Sequence, residues 1–166
     1  MSATSPRERL HFFHPASLIS TCFGVGYLPF APGTWGSLLA LPLAWVLLSQ
    51  WTPYILLIVA FFLFLAGMLA SAIHQKRSED EDPSYIVIDE LVGQLFILSI
   101  VPLDWGYFFI AFLLFRIFDI YKPWPISWAD KTIRTGFGIM FDDILAAGYT
   151  AAIFSFLLFF CNASSI

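Results

Sequence analysis

The sequence predicts an all-α protein, a polytopic membrane helical bundle of about five spans preceded by a short or re-entrant N-terminal helix. Three observations predict it. Apolar residues make up 59% of the 166-residue chain and charged residues 12%, against roughly 45–50% and about 25% in soluble domains. Mean hydropathy is +0.80. Between Pro15 and Ile73 there is no Asp, Glu, Lys, Arg or His, a run far longer than the roughly 20 residues that one crossing requires. A chain of this length forms one domain, so residues 1–166 are read as a single membrane-embedded unit with 1–14 as a cytoplasmic tail.

The first apolar piece, Pro15 to Pro32, contains Gly24, Gly26, Pro29 and Pro32. These break a spanning helix in its second half and predict a short or re-entrant one. The expected spans are Thr34 to Ser49, with Thr34 as N-cap, then Thr52 to Ile73, Tyr85 to Val101, Asp104 to Asp119 and Ile139 to Cys161. Threaded this way, Arg7, Arg9, Lys76, Arg77, Arg116, Lys122, Lys131 and Arg134 share one face. The positive-inside bias makes that face cytoplasmic. Cys22 and Cys161 lie in or at the end of apolar segments without a CxxC pair, and read as small buried apolar residues. The formal charge of -4 excludes nucleic acid as a partner, because a phosphate-backbone binder needs a basic face.

The same threading brings Asp89, Glu90, Asp119, Asp142 and Asp143 to one membrane face from three helices. An acid deep in a helix costs about 2.5–3.5 kcal/mol on insertion scales, so a cluster beside apolar runs asks for a functional account. The alternative is that these acids sit at helix N-termini and meet the dipole. Carboxylates sharing a low-dielectric pocket repel one another unless protonated or bridged by a cation. Oxygen-only donors point to Mg²⁺, held by carboxylates together with a substrate phosphate. Arg116, Lys122 and Arg134 are nearby cations for such a phosphate, although Arg116 and Asp119, at i and i+3, can simply pair. Backbone N–H groups at Thr34 are a further phosphate site, and Gly136-Phe137-Gly138 allows close approach of backbone to ligand or a tight turn. No cysteine-phosphatase loop and no GxxxxGK[ST] loop is present. The chemistry left is metal-carboxylate work on a membrane-embedded phosphate.

Four motifs in order carry a resemblance. They are Pro32-Gly33-Thr34-Trp35-Gly36-Ser37, Asp89-Glu90-Leu91-Val92-Gly93, Phe115-Arg116-Ile117-Phe118-Asp119 running into Lys122-Pro123-Trp124-Pro125-Ile126 and Asp130, and Gly136-Phe137-Gly138-Ile139-Met140 with Asp142-Asp143. Over roughly Phe23 to Gly148 the chain resembles the phosphatidylglycerophosphatase A family. The resemblance implies a multi-pass, Mg²⁺-dependent phosphatase of the bacterial inner membrane, its site facing the cytoplasm. It would remove the terminal phosphate of phosphatidylglycerophosphate, an anionic phospholipid. On this reading Asp89, Glu90, Asp142 and Asp143 bind Mg²⁺ and serve catalysis with Asp119, one acid activating water or an Asp acting as nucleophile. Thr34, Arg116, Lys122, Asp130, Gly136 and Gly138 contact substrate. The rival class is an ion-coupled transporter or channel using the same acids, but its path would need polar groups through the whole bilayer depth, and the far half offers little beyond Asp104.

Overall fold

The computed structural model describes residues 10–77 and 83–163, with side chains to residue 160. Arg7, Arg9 and the Cys161 side chain lie outside the described residues. Within them the regular structure is helical: α1 (Pro15–Ser20), a 3₁₀ turn (Val25–Tyr27), α2 (Pro32–Leu48), α3 (Tyr54–Arg77), α4 (Ile88–Leu98), α5 (Trp105–Tyr121), α6 (Ile126–Thr132) and α7 (Gly136–Ala163).

Local chemistry accounts for most of the helix ends. In α1, Pro15 fills the first turn and the His14 ring accepts from the Ala16 N–H. Six residues later the chain turns out of the helix through Cys22, Phe23 and Gly24, at φ 47°, 58° and 98°. The expected break after Pro15 is therefore real, and glycine is the residue that takes the widest of these angles without strain. The Cys22 side chain is buried, its thiol directed at the Val87 carbonyl. Helix α2 starts two residues before the expected cap. Ala31 is the N-cap and Pro32 the first helical residue, because Pro brings a preset φ and no N–H to leave unpaired. Thr34 lies inside the first turn, its N–H bonded to the Ala31 carbonyl at 2.9 Å. Asp104 caps α5 through Gly106 N–H at 2.8 Å and Tyr107 N–H at 3.2 Å. Helix α6 is an addition to the expected elements. Only seven residues long, it sits between Pro125 and α7 with too few turns for a periodic signal.

The helix lengths do not support five spans. Among the described residues, two helices are long and apolar enough to cross a membrane, α3 and α7. Helices α2 and α5 have 17 residues each and α4 has 11. At 1.5 Å per residue these reach roughly 25 Å and roughly 16 Å, short of a hydrocarbon core of about 30 Å. The reason lies in where α4 sits. It packs against α2, α3, α5 and α7, and Ile88, Leu91, Val92, Leu95, Ile97 and Leu98 are all buried. A helix sheathed in protein is apolar all round for the same reason as one sheathed in lipid. Outward-facing apolar surface is prominent on α3, α5 and α7, where Phe61, Phe62, Leu69, Phe109, Ile120, Phe156 and Phe159 are exposed.

A seam of small residues sets the distance between α2 and the start of α4. Gly36, Ala40 and Ala44 recur every fourth position on α2, and both alanines are wholly buried. A Cβ at Gly36 would stand 2.7 Å from the Val87 carbonyl oxygen. Small residues at this spacing let backbones approach closely, and here they draw α2 onto Val87, two residues before Asp89.

Candidate active site

Three helix ends meet above this seam. Asp89 and Glu90 occupy the first turn of α4, Arg116 and Asp119 the last turns of α5, and Asp142 and Asp143 the second turn of α7. All five expected acids line one cavity of about 240 Å³, together with Arg116, Lys122 and the α2 start at Ala31, Pro32 and Gly33. The convergence expected from the sequence is thus present in the fold.

The acids fall into two electrostatic groups. One is neutralised by cations. Arg116 Nη1 lies 2.5 Å from Asp119 Oδ2 and 3.7 Å from Glu90 Oε1, and it also donates to Ser37 Oγ at 3.4 Å. Lys122 Nζ lies 2.5 Å from Asp130 Oδ1 and 2.7 Å from Asp142 Oδ2. Burial works against the Lys122 charge, but Asp142 and Asp130 outweigh it and hold the ammonium well above the ordinary lysine range. Lys122 ends α5 in the left-handed region at φ 41°, a conformation uncommon for a non-glycine residue.

Among the described residues, the other group is met by a cation only at Glu90 Oε1, through the longer Arg116 contact. Asp89, Glu90 and Asp143 each bring a carboxylate oxygen to within 4.8 Å of the other two. Asp89 Oδ1, Glu90 Oε2 and Asp143 Oδ2 are buried without a hydrogen-bond partner. Unpaired carboxylate oxygens in a low-dielectric site are costly, and a hard divalent cation with oxygen ligands is the kind of group that satisfies them. The donor set therefore fits Mg²⁺. Of the four acids expected as ligands, Asp142 stands apart from this trio. Its Oδ2 is taken by Lys122 and its Oδ1 accepts the Asp143 N–H at 3.1 Å.

Glycine places the trio against α2. A Cβ at Gly33 would fall 1.8 Å from Glu90 Oε1, and one at Gly93 would meet Phe115 at 2.8 Å and the Asp143 carbonyl at 3.0 Å. Any side chain at Gly33 would occupy the space of the Glu90 carboxylate.

Residues 18–158 match the family model for phosphatidylglycerophosphatase A. The chain belongs to the phosphatidylglycerophosphatase A family. It is 40% identical over 157 residues to the phosphatidylglycerophosphatase A of Haemophilus influenzae, with 92% of this chain and 94% of that one covered. To the Escherichia coli protein of the same name it is 36% identical over 157 residues, covering 91% and 88%. A Bacteroides thetaiotaomicron protein provisionally named a phosphatidylinositol-3-phosphatase is 42% identical over 142 residues, covering 80% and 87%. No solved structure matches the chain.

Within this phosphatidylglycerophosphatase A fold, the remaining expected contacts are spread out. Thr34 is not among the residues lining the acid cavity, whereas its neighbour Gly33 is. Gly136 starts α7 against α3, where a Cβ would come within 2.4 Å of the Met68 carbonyl and 2.6 Å of the Ala72 nitrogen. Gly138 abuts the Ile133 carbonyl. Both glycines permit close backbone packing, and neither lines the acid cavity; Gly138, Asp130 and Arg134 line a neighbouring one. Sequence reasoning missed Gly33 and Ser37 as site residues. The signal was the pair of glycines in Pro32-Gly33-Thr34-Trp35-Gly36-Ser37, which puts one glycine beside an acid and the next beside the backbone that carries it.

Proposed function

We propose that this chain is a Mg²⁺-dependent phosphatase of a bacterial inner membrane that hydrolyses the terminal phosphomonoester of phosphatidylglycerophosphate to phosphatidylglycerol and inorganic phosphate. The observation that carries the reading is the trio of orphaned carboxylate oxygens on Asp89, Glu90 and Asp143, in one cavity with Arg116 and Lys122. Family membership supplies the substrate, since two relatives bear the name phosphatidylglycerophosphatase A.

Asp89, Glu90 and Asp143 would hold the ion, which would supply positive charge for the phosphate and a more acidic water. Attack by water on phosphorus forms one P–O bond, and the bond to the glycerol oxygen breaks. The water proton passes to a cavity carboxylate, and the glycerol oxygen takes up a proton as it departs. Arg116, oriented by Asp119 and Ser37, and Lys122, oriented by Asp130 and Asp142, offset negative charge on the transferring phosphate. Asp142 then acts through Lys122 as a positioning residue.

The cavity opens at the end of the bundle where α3 finishes and α7 begins. Lys76, Arg77, Lys122, Lys131 and Arg134 belong to that end, and the positive-inside bias assigns it to the cytoplasm. An ion path is not favoured, because the acids of the cavity gather at one end of the bundle and, among the described residues, Asp104 stands alone at the other.

Purified protein in nonionic detergent tests the reading directly. Inorganic phosphate should be released from phosphatidylglycerophosphate when Mg²⁺ is present and not after chelation. No release under either condition would overturn the activity, and release unaffected by chelation would overturn the metal.

A further inference from the structure

Two exposed aromatic rings flank the acid cavity. Ala31 and Lys122 line it, and the residues immediately before them, Phe30 and Tyr121, are 91% and 81% exposed. Phe30 and Ala31 are both left-handed, at φ 61° and 49°, in a turn that leaves the ring outside while the next residue lines the cavity. An apolar stripe runs from each side. Trp35, Leu39 and Val46 on α2 and Leu113, Ile117 and Tyr121 on α5 are exposed, and their spacing of four or seven residues puts each set on one helix face. Both helices reach the cavity wall, α2 through Pro32 and Gly33 and α5 through Asp119. The segment before α2 is not built for water. Phe23, Tyr27, Leu28 and Phe30 are exposed in a stretch without Asp, Glu, Lys, Arg or His, and a patch of this kind marks a protein or membrane contact. Each N–H from Phe23 to Leu28 donates to a carbonyl between Leu18 and Val25, and Pro29 has none. Irregular backbone closed in this way needs no water.

We propose that Phe30 and Tyr121 frame a lateral entrance to the acid cavity from the headgroup layer of the surrounding leaflet, through which a lipid presents its phosphate while its chains stay against the α2 and α5 stripes. The inference rests on the function proposed above and names the form in which that site takes its substrate, a lipid still seated in its leaflet. Lipid rather than a protein partner is the occupant because the rings stand at the ends of outward apolar stripes on two helices. Tyrosine and tryptophan in that position make the aromatic belt of a membrane protein, with the ring among the chains and the polar tip among the headgroups. A sideways path also has an energetic reason. Drawing two acyl chains into water costs free energy for every CH₂ exposed, and a phosphate that enters past the rings leaves both chains where they are.

Fluorescence in phosphatidylcholine vesicles tests the entrance without recourse to activity. With Cys161 changed to Ser, a fluorophore on Phe30→Cys or Tyr121→Cys should be quenched by lipids that carry a nitroxide near the headgroup. It should also be shielded from aqueous iodide several-fold more than one on Lys131→Cys, an exposed position. Iodide quenching equal to that at Lys131→Cys overturns the proposal. Shielding without nitroxide quenching overturns it too, and would mark a protein partner or a second copy on the rim. In kinetics, a Phe30→Ser/Tyr121→Ser variant should raise KM for phosphatidylglycerophosphate in vesicles about tenfold or more, and Phe30→Trp/Tyr121→Trp, which keeps both rings, should recover most of that loss. An equal loss of the serine variant on glycerol 3-phosphate, a monoester without chains, overturns the entrance and marks damage to the cavity itself. Lipid quenching at both positions in a protein that releases no phosphate would instead refute the catalytic reading and leave the lipid entrance standing.

Discussion

Lys122 Nζ lies 2.7 Å from Asp142 Oδ2 and so ties the end of α5 to the second turn of α7, across the mouth of the acid cavity. The pair decides how two of the expected site residues behave. Asp142 is a partner of the lysine rather than a member of the trio with orphaned oxygens, and the lysine is fixed in place by two carboxylates rather than free to wander.

Removing the ammonium should therefore cost activity steeply. A charge-assisted hydrogen bond is worth about 1.5–3 kcal/mol, so Lys122→Ala should lose roughly ten- to more than a hundredfold in kcat/KM. Because the contact strengthens as phosphate charge develops, kcat should fall with it. Steady-state kinetics at low and high salt separate this from a diffuse surface attraction, which would act on KM and fade with salt.

The same pair has a pH signature. The Lys122 pKa is raised in the folded state, so the ion pair contributes its full stability below the unfolded lysine value of about 10.4 and loses it only as pH rises through the higher folded value. The melting-temperature difference between wild type and Lys122→Met should stay level from pH 7 to about pH 10. A difference that shrinks well below that range would show that the ammonium is not held by Asp130 and Asp142.

Two glycines on one helix should give opposite phenotypes. At Gly33 a new methyl meets the carboxylate tip of Glu90, whereas at Gly36 it meets the Val87 backbone and Cβ, at 2.7 Å and 2.9 Å. Gly33→Ala should displace Glu90, leave the melting temperature close to that of the wild type and cut kcat at least about tenfold. Gly36→Ala must shift backbone and should destabilise by about 1–3 kcal/mol. Thermal unfolding and turnover measured on both variants would show the two effects exchanged if the roles are wrong.

The trio predicts a metal dependence of stability. An ion that binds only the folded state raises the unfolding free energy by about 2.7 kcal/mol at a hundred times its Kd. Wild type should therefore melt higher with saturating Mg²⁺ than with chelator. Asp89→Asn and Asp143→Asn should lose both that increment and turnover, while melting no lower than the wild type without metal, since an amide relieves the repulsion among the acids. Full activity in both variants would remove the carboxylates from the mechanism.

Orientation is open to thiol labelling. Burial and the Glu90 charge push the Cys22 thiol up to about 12, so it should be inert to maleimide at neutral pH. With Cys161 changed to Ser, a cysteine at Leu103 should be labelled from outside intact cells by an impermeant reagent, and one at Lys131 only after permeabilisation. The reverse pattern would invert the cavity.

What the sequence determined by itself is the local chemistry. Proline and glycine between Pro15 and Pro32 broke the first helix, Asp104 capped α5, and Arg116 met Asp119 one turn away, because each of these effects acts within a few residues. Composition settled that the chain is helical and strongly apolar, and the spacing of the acids brought five of them to one cavity. The tertiary structure alone decided which apolar helices face outward. Hydropathy responds to the absence of water and not to what replaces it, so α4, enclosed by four other helices, read like a span. Only the fold, too, could say that Lys122 would take Asp142 and leave Asp89, Glu90 and Asp143 together, or that Gly33 would make room for Glu90. Those pairings join residues as many as 57 positions apart in the numbered chain, from Gly33 to Glu90. No local preference selects them; helix packing does, by fixing which side chains share a space too small for water.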